Sequence, residues 1–276
     1  MADEPEVEAV DPNAGRGGSL TVVGTGIRTV GQLTQEAIAW MRQAEALLYV
    51  VGDPVAEEVI NRLNPKAESL SGLYQEGRDR LPTYLAMVDR ILDSVRSGAR
   101  TVAAFYGHPG VFAFPSHESI RRARAEGYPA VMLPGISAED CLFADLGVDP
   151  AVGGCQSYEA TDFLLNARVV DTSAQLILWQ IGTLGDWTYK TQMYDLRAFP
   201  LLIQRLTELY PPTHVAVVYQ AAIFPGVPPG ITPVPIGALS PAHVSAATTL
   251  YIPPARPATP DERMSGWLQL MRQGAG

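Results

Sequence analysis

Cysteine and histidine are scarce in these 276 residues: two cysteines, Cys141 and Cys155, and four histidines, His108, His117, His214 and His243. So few cysteines fit a reducing compartment, and both read as small buried hydrophobes rather than a disulfide. The histidines contain no H-x-x-H or H-x-x-x-H pair, so no metal site is expected. Positive charge is short as well, with 20 Lys and Arg against 29 Asp and Glu and a net charge of −9. No Lys/Arg run offsets that balance, which argues against a nucleic-acid-binding surface. The longest apolar runs, such as residues 46–51, are too short to span a bilayer. The N-terminal segment is acidic where a signal peptide would be basic, and it lacks an apolar core. A cytoplasmic protein with neither membrane nor nucleic-acid partner is the expectation. The absence of G-x-x-x-x-G-K-[ST] also argues against a P-loop NTPase.

What is present is a globular pattern of one or two domains, with 47% hydrophobic and 8% aromatic residues. Residues 1–18 are acidic and then Gly-rich, without periodicity, and predict a disordered tail. A buried strand follows at 19–24, then Gly24-Thr25-Gly26 and a helix over 33–46 capped by Thr29 or Thr34. A strand at 47–51 leads to a short helix from Asp53-Pro54 to about residue 63. The clearest amphipathic helix covers 79–97, where Leu81, Tyr84, Leu85, Val88, Ile91, Leu92 and Val95 repeat at helical spacing. Asp79 is its expected N-cap and Gly98 its stop. A strand at 101–105, a helix at 116–126 and a strand at 130–133 complete a βα series. Such alternation implies a mostly parallel sheet covered by helices on both faces.

Pro134-Gly135 marks the expected boundary. Beyond it come a helix at 137–146, strands at 156–160, 174–181, 215–221, 234–238 and 248–252, and one long helix at 198–210. Prolines crowd residues 225–260 and mark loops and edge strands. The fold class expected is α/β, with two α/β domains (19–135 and 136–255), a cofactor cleft between them, and a tail (256–276) carrying a short helix.

The most informative stretch is Phe105-Tyr106-Gly107-His108-Pro109-Gly110-Val111-Phe112. Its glycines and proline force a tight turn at a strand's carboxyl end, where open α/β sheets bind ligands. An ordinary βα turn would show the same residues. Gly24-Thr25-Gly26 suggests a nucleotide loop, but Thr29 occupies the third glycine position of the dinucleotide fingerprint, and a lone G-x-G is weak.

Taken together, several segments resemble the tetrapyrrole-methylase superfamily of S-adenosylmethionine-dependent methyltransferases. They are Val22-Val23-Gly24-Thr25-Gly26, Leu33-Thr34-Gln35-Glu36-Ala37, Ala44-Glu45-Ala46-Leu47-Leu48-Tyr49, Tyr106-Gly107-His108-Pro109-Gly110 and Leu133-Pro134-Gly135-Ile136-Ser137-Ala138. The resemblance covers roughly residues 19–255, and the first glycine loop departs from it by lacking the usual Gly-Pro-Gly. A narrower likeness is carried by residues 106–112, Pro115-Ser116-His117 and the run from Leu133 to Leu146. These look like the borosin (omphalotin-type) peptide α-N-methyltransferases, which methylate backbone amide nitrogens. Tetrapyrrole enzymes of the superfamily often carry Asp where His108 stands here.

The resemblance implies a catalytic group of Tyr74, Arg80 and Tyr84, with Tyr106 nearby. In a helix beginning at residue 80, Arg80 and Tyr84 share a face at i and i+4. An amide nitrogen is a poor nucleophile because its lone pair is delocalised into the carbonyl. A tyrosinate could take its proton if a cation lowered the phenol's ordinary pKa of about 10. Tyr74 is the expected base, Arg80 the cation and Tyr84 the orienter, with the two tyrosine roles open to exchange and Arg78 an alternative to Arg80. Each has a plainer reading: Tyr84 as core, Arg80 as a solvated first-turn charge, Tyr74 as a loop aromatic.

For S-adenosylmethionine the resemblance points to Tyr106, His108, Val111, Phe112, Ser137 and Ala138. In the second domain it points to Gln180, Tyr219, Thr248 and Thr249, of which Tyr219 and the threonines could equally belong to the sheet. Fungal borosin enzymes carry a clasp and their substrate peptide after the catalytic domains. Here the sequence ends soon after Trp267-Leu268-Gln269-Leu270-Met271-Arg272-Gln273, so a separate precursor peptide is expected as partner. A homodimer is expected from the same resemblance. The rivals are a tetrapyrrole or other small-molecule methyltransferase of this fold, and a non-catalytic cofactor- or peptide-binding homologue.

Overall fold

The computed structural model describes residues 17–273, so the tail expected at 1–18 lies, but for its last two residues, outside the described residues. The chain divides into two compact units, each built on a five-stranded sheet. The first unit runs through Leu146, beyond Pro134-Gly135, and also takes in Trp187–Gln192 and Ala221–Pro229. The second holds Gly147–Asp186, Met193–Gln220 and the chain from Gly230 onward.

In the first unit the strands are β1 (Ser19–Gly24), β2 (Ala46–Val50), β3 (Glu68–Ser69), β4 (Arg100–Phe105) and β5 (Ala130–Met132). They pair in parallel in the order β3-β2-β4-β1-β5. The helices are α1 (Thr29–Gln32), α2 (Gln35–Gln43), α3 (Pro54–Leu63), α4 (Arg80–Arg96), α5 (Phe114–Ala125) and α6 (Ala138–Leu146). Successive strand residues point to opposite faces, and the core follows that alternation. Val22, Leu48, Ala103 and Phe105 pack with Met87, Val88, Ile91 and Leu92 of α4 and with Ile120 and Ala123 of α5. Val23, Leu47, Tyr49, Val102 and Ala104 pack with Ala37 and Met41 of α2 and Ile60 of α3.

Capping decides several boundaries. The helix expected over 33–46 is two helices broken at Leu33-Thr34, and Thr34 is the cap, accepting from the Ala37 N–H at 3.0 Å. Thr29 instead sits buried inside α1. Asp53 Oδ1 accepts from the Ala56 N–H at 2.9 Å, starting α3 at Pro54 as the sequence predicts. Asp79 holds the N-cap position of α4 without a side-chain cap bond, contrary to expectation. Its backbone is committed elsewhere, to an antiparallel bridge with Thr188.

In the second unit β6 (Cys155–Glu159), β7 (Gln175–Trp179), β8 (Val215–Gln220), β9 (Gly230–Pro235) and β10 (Thr249–Ile252) pair in the order β6-β7-β10-β8-β9. Only β6 and β7 run parallel; the other pairs are antiparallel. Helices α7 (Ala160–Leu165) and α8 (Phe199–Thr207) cover a core that includes Phe163, Leu176, Leu178, Leu202, Leu206, Leu250 and Ile252. Strand β9 begins four residues earlier than the expected 234–238, because Ile236–Ala238 turns into a 3-10 helix. With Pro233 and Pro235 it lies at the sheet edge, where a missing N–H costs no ladder bond. Helix α9 (Glu262–Gln273) ends the described chain. Both cysteines are free thiols, Cys141 buried and Cys155 half-buried. Among the described residues no helix is long and apolar enough to cross a membrane, and no His/Cys/Asp/Glu group could hold a metal ion.

Candidate active site

Three loops at the carboxyl ends of the first sheet meet in close backbone contact. A Cβ on Gly24 would lie 2.3 Å from the Gly107 carbonyl oxygen, and one on Gly135 would lie 2.9 Å from that same atom. Gly26 and Gly107 exchange backbone hydrogen bonds of 3.2 and 3.0 Å. The G-T-G loop is therefore fastened to the loop after β4, which explains its glycines without a nucleotide.

That second loop carries four of the residues expected to touch cofactor. His108 Nδ1 accepts from the Gly110 N–H at 2.9 Å, and His117 Nε2 lies 2.9 Å from the Gly110 carbonyl, so both rings brace the turn. Val111 and Phe112 stand exposed, and Phe112 adopts φ 51°, a left-handed backbone uncommon for a bulky side chain. Tyr106 keeps 40% of its surface open. Burial of its phenol, then the neighbouring Cys141 and Asp53, pushes its pKa up to about 12. Ser137 N–H and Oγ both reach Asp140 Oδ2 at 2.7 Å, and Ser137 Oγ accepts from the Asp140 N–H at 3.2 Å. Ser137 is thus the cap of α6, and Ala138 is that helix's first residue.

Tyr74, Arg80 and Tyr84 come together beside this loop. Helix α4 begins at Arg80, so Arg80 and Tyr84 are one turn apart, as the spacing predicts. Tyr74, in the preceding loop, folds back with its ring centroid 6.3 Å from that of Tyr84, edge to face. Tyr84 stacks in turn on Phe114 at 6.2 Å. Arg78 is exposed, whereas Arg80 is half-buried and its Nε donates to the Trp187 carbonyl at 3.3 Å.

The electrostatics differ from expectation. Burial pushes the Tyr74 phenol well above its ordinary pKa, reinforced by the charge of Tyr84 and by a hydrogen bond to it, and then by Tyr189. Arg80 acts in the expected, lowering direction but is outweighed.

One aromatic in this cluster escaped the sequence reading. Tyr189 stacks on Tyr74 with centroids 4.4 Å apart and planes 21° from parallel. Its segment carries Trp187 and Tyr189 without helical or strand periodicity, which left no local signal beyond the aromatics themselves.

The residues expected in the second unit split. Gln180, directly after β7, has φ 59°, and it and Phe112 are the non-glycine residues with positive φ among the described residues. Tyr219, Thr248 and Thr249 are buried. Tyr219 and Thr249 face each other across β8 and β10, and Thr248 Oγ1 accepts from the Ser245 N–H at 2.8 Å. Their placement is that of sheet and turn residues.

The parallel sheet, the three glycine loops and the sequence pattern define a class. The chain belongs to the tetrapyrrole (corrin/porphyrin) methylase family, whose model matches residues 19–223. Its relatives include the methyltransferase/ribosomally synthesized cyclic peptide dendrothelin A precursor of Dendrothele bispora, 43% identical over 86% of this chain and 58% of the relative. The methyltransferase/ribosomally synthesized cyclic peptide omphalotin A precursor of Omphalotus olearius is 41% identical over 87% of this chain and 58% of that protein. A type I borosin cyclic peptide precursor of Coprinopsis marcescibilis is 42% identical over 88% and 63%. The borosin resemblance drawn from residues 106–146 is thus matched at about 40% identity across most of the chain. The chain spans about three-fifths of the length of these curated relatives. Among solved structures, a uroporphyrin-III-C-methyltransferase from Thermus thermophilus superposes with a TM-score of 0.61 at 18% identity, covering 86% of this chain and 93% of that one. At that identity the likeness speaks for the fold.

Proposed function

We propose that this chain is an S-adenosylmethionine-dependent methyltransferase that N-methylates backbone amides of a peptide supplied as a separate chain. The observation that carries the reading is the Tyr74–Arg80–Tyr84 cluster at the start of α4, in a protein whose relatives are named as methyltransferases fused to peptide precursors. A phenol pair with one guanidinium suits a neutral amide that must lose a proton, whereas carboxylates would oppose the anion that forms.

The loop after β4 fits the cofactor. Tyr106, Val111 and Phe112 leave apolar and aromatic surface uncovered at a strand's carboxyl end, and aromatic faces suit a sulfonium cation. Tyr106, His108, Val111 and Phe112, with Ser137 and Ala138, are the first-unit residues that would hold it. When bound, S-adenosylmethionine supplies an activated methyl on sulfur.

Within the cluster the burial of Tyr74, which raises its pKa, favours the exchanged tyrosine assignment. Tyr84, one turn from Arg80 and against the Tyr74 ring, is the phenol that takes the amide proton. Tyr74, kept protonated by burial, and Arg80 balance the charge growing on the amide oxygen. Helix α9 exposes Trp267, Leu268, Leu270 and Met271, a face suited to a second copy, and we include a homodimer in the proposal. A cytoplasmic setting agrees with the scarce cysteines.

Tandem mass spectrometry on a candidate peptide co-expressed with the chain tests the reading. Fragment ions should place added methyl groups on backbone nitrogens, and Tyr84→Phe should reduce transfer more than Tyr74→Phe does. A chain that methylates a tetrapyrrole and no peptide would overturn the substrate assignment; cofactor binding with no transfer to either would overturn the enzymatic one. Light scattering that finds a monomer would overturn the dimer.

A further inference from the structure

We infer that Trp187–Gln192 is a strap that fixes the reacting tyrosines, with Tyr189 as the positioning residue that holds the Tyr74 ring by stacking. The inference rests on the functional reading above and adds to it a residue remote in sequence from α4.

The strap is built by backbone pairing. Gly77 N–H donates to the Tyr189 carbonyl at 2.8 Å, Tyr189 N–H to the Arg78 carbonyl at 2.8 Å, and Arg80 N–H to the Trp187 carbonyl at 3.0 Å. With the Asp79–Thr188 bridge these bonds form a short antiparallel ribbon along the loop that carries Tyr74. Thr191 N–H adds a bond to Glu76 Oε2 at 2.8 Å. The Trp187 carbonyl accepts from both the backbone and the Nε of Arg80, so the strap also sets the guanidinium.

Tyr74 needs such a fixture. It follows the 3-10 turn Ser71–Leu73 and precedes α4, so no regular element orients its side chain. The Tyr84 ring meets it edge to face, which leaves one ring face uncovered by that contact. Tyr189 lies against it at 4.4 Å, nearly parallel, the offset-stacked geometry aromatic pairs prefer. A displacement of about 1 Å at a reacting group can lower a rate about 100-fold. The two rings are therefore a mechanical part of the site, although Tyr189 itself transfers no proton.

The test compares Tyr189→Ala, Tyr189→Leu and Tyr189→Phe in the full chain. Tyrosine rings are labelled with carbon-13, and the Tyr74 resonance is assigned by its loss in Tyr74→Phe. The stacked ring should show a ring-current shift in wild type and Tyr189→Phe that disappears in the alanine and leucine variants. Single-turnover methyl transfer should fall about 10- to 100-fold in the alanine and leucine variants and stay within about twofold in Tyr189→Phe. Cofactor dissociation constants should remain within about twofold throughout. An unmoved Tyr74 resonance in Tyr189→Leu overturns the contact. A moved resonance with unchanged transfer overturns the positioning role, and so does a phenylalanine variant as poor as the alanine one. A wild type that shows the ring shift but methylates nothing overturns the functional reading instead, and with it the strap's catalytic purpose.

Discussion

The two units expose their candidate residues in opposite ways. In the first, Tyr106 is 40% and Phe112 51% exposed, on a loop that leaves a parallel sheet at its carboxyl edge. In the second, Tyr219 is fully buried and Thr248 and Thr249 nearly so, within or beside antiparallel strands. A sheet covered on both faces must send its ligand-facing residues into loops, because its strands have no free face. The second unit's Tyr219 and Thr249 stand opposite each other in the sheet, so their side chains also serve its packing. Substitutions should accordingly register as lost function in the first unit and lost stability in the second.

The largest test of that contrast is Tyr219→Ala, which empties a fully buried site and should cost about 3–5 kcal/mol, read as a fall in the denaturant midpoint. A midpoint unchanged from wild type would break the comparison. Next is Arg80→Ala. Loss of one charged donor at a reacting oxygen typically costs about 100- to 1,000-fold in rate, and the melting temperature should stay close to wild type. Unaltered transfer would remove Arg80 from the site.

A smaller effect separates buried tyrosines by pH. Burial, then Asp171, raises the Tyr210 phenol to about 12, and its hydroxyl has no hydrogen-bond partner. The folded value lies above the unfolded one, so this group's contribution is intact below about pH 10 and is lost as pH climbs toward 12. Thermal melts from pH 8 to 11.5 should decline less steeply for Tyr210→Phe, with no penalty at pH 7 because no bond is removed. The smallest effect is Phe112→Gly. Relief of the left-handed backbone offsets glycine's greater unfolded freedom, so stability should change by no more than about 1 kcal/mol. Cofactor affinity, by calorimetry, should nonetheless drop. Unchanged affinity would return Phe112 to the role of a turn residue.

Much of the first unit was legible because its signals are local. The short apolar strand runs at 19–24 and 101–105 and the helical repeat from Leu81 to Val95 each lie within one element. The start of α4 at Arg80 agrees with the N-cap position expected at Asp79, and it puts Arg80 and Tyr84 one turn apart. Short α7 and the shift of β9 were missed, one lacking a full amphipathic repeat and the other hiding behind prolines. The site itself was half legible. Tyr74 and Tyr84 were named through resemblance, but the rise in the Tyr74 pKa depends on burial, then on Tyr84, and then on Tyr189, 115 positions away. Backbone pairing between residues 77–80 and 187–189 leaves no periodic trace in either segment. Asp79 illustrates the same limit: its side chain reads as a cap, while its backbone answers to Thr188.

The strap also constrains inheritance. A crossover between genes at residue 146 would look safe, since the long first segment of one compact unit ends there and the other unit begins. Yet the recombinant would take Tyr74 and Arg80 from one parent and Tyr189 from the other. The two parts of the gene are therefore expected to travel together, and chimaeras should work best when residues 187–192 come from the same parent as residues 74–84.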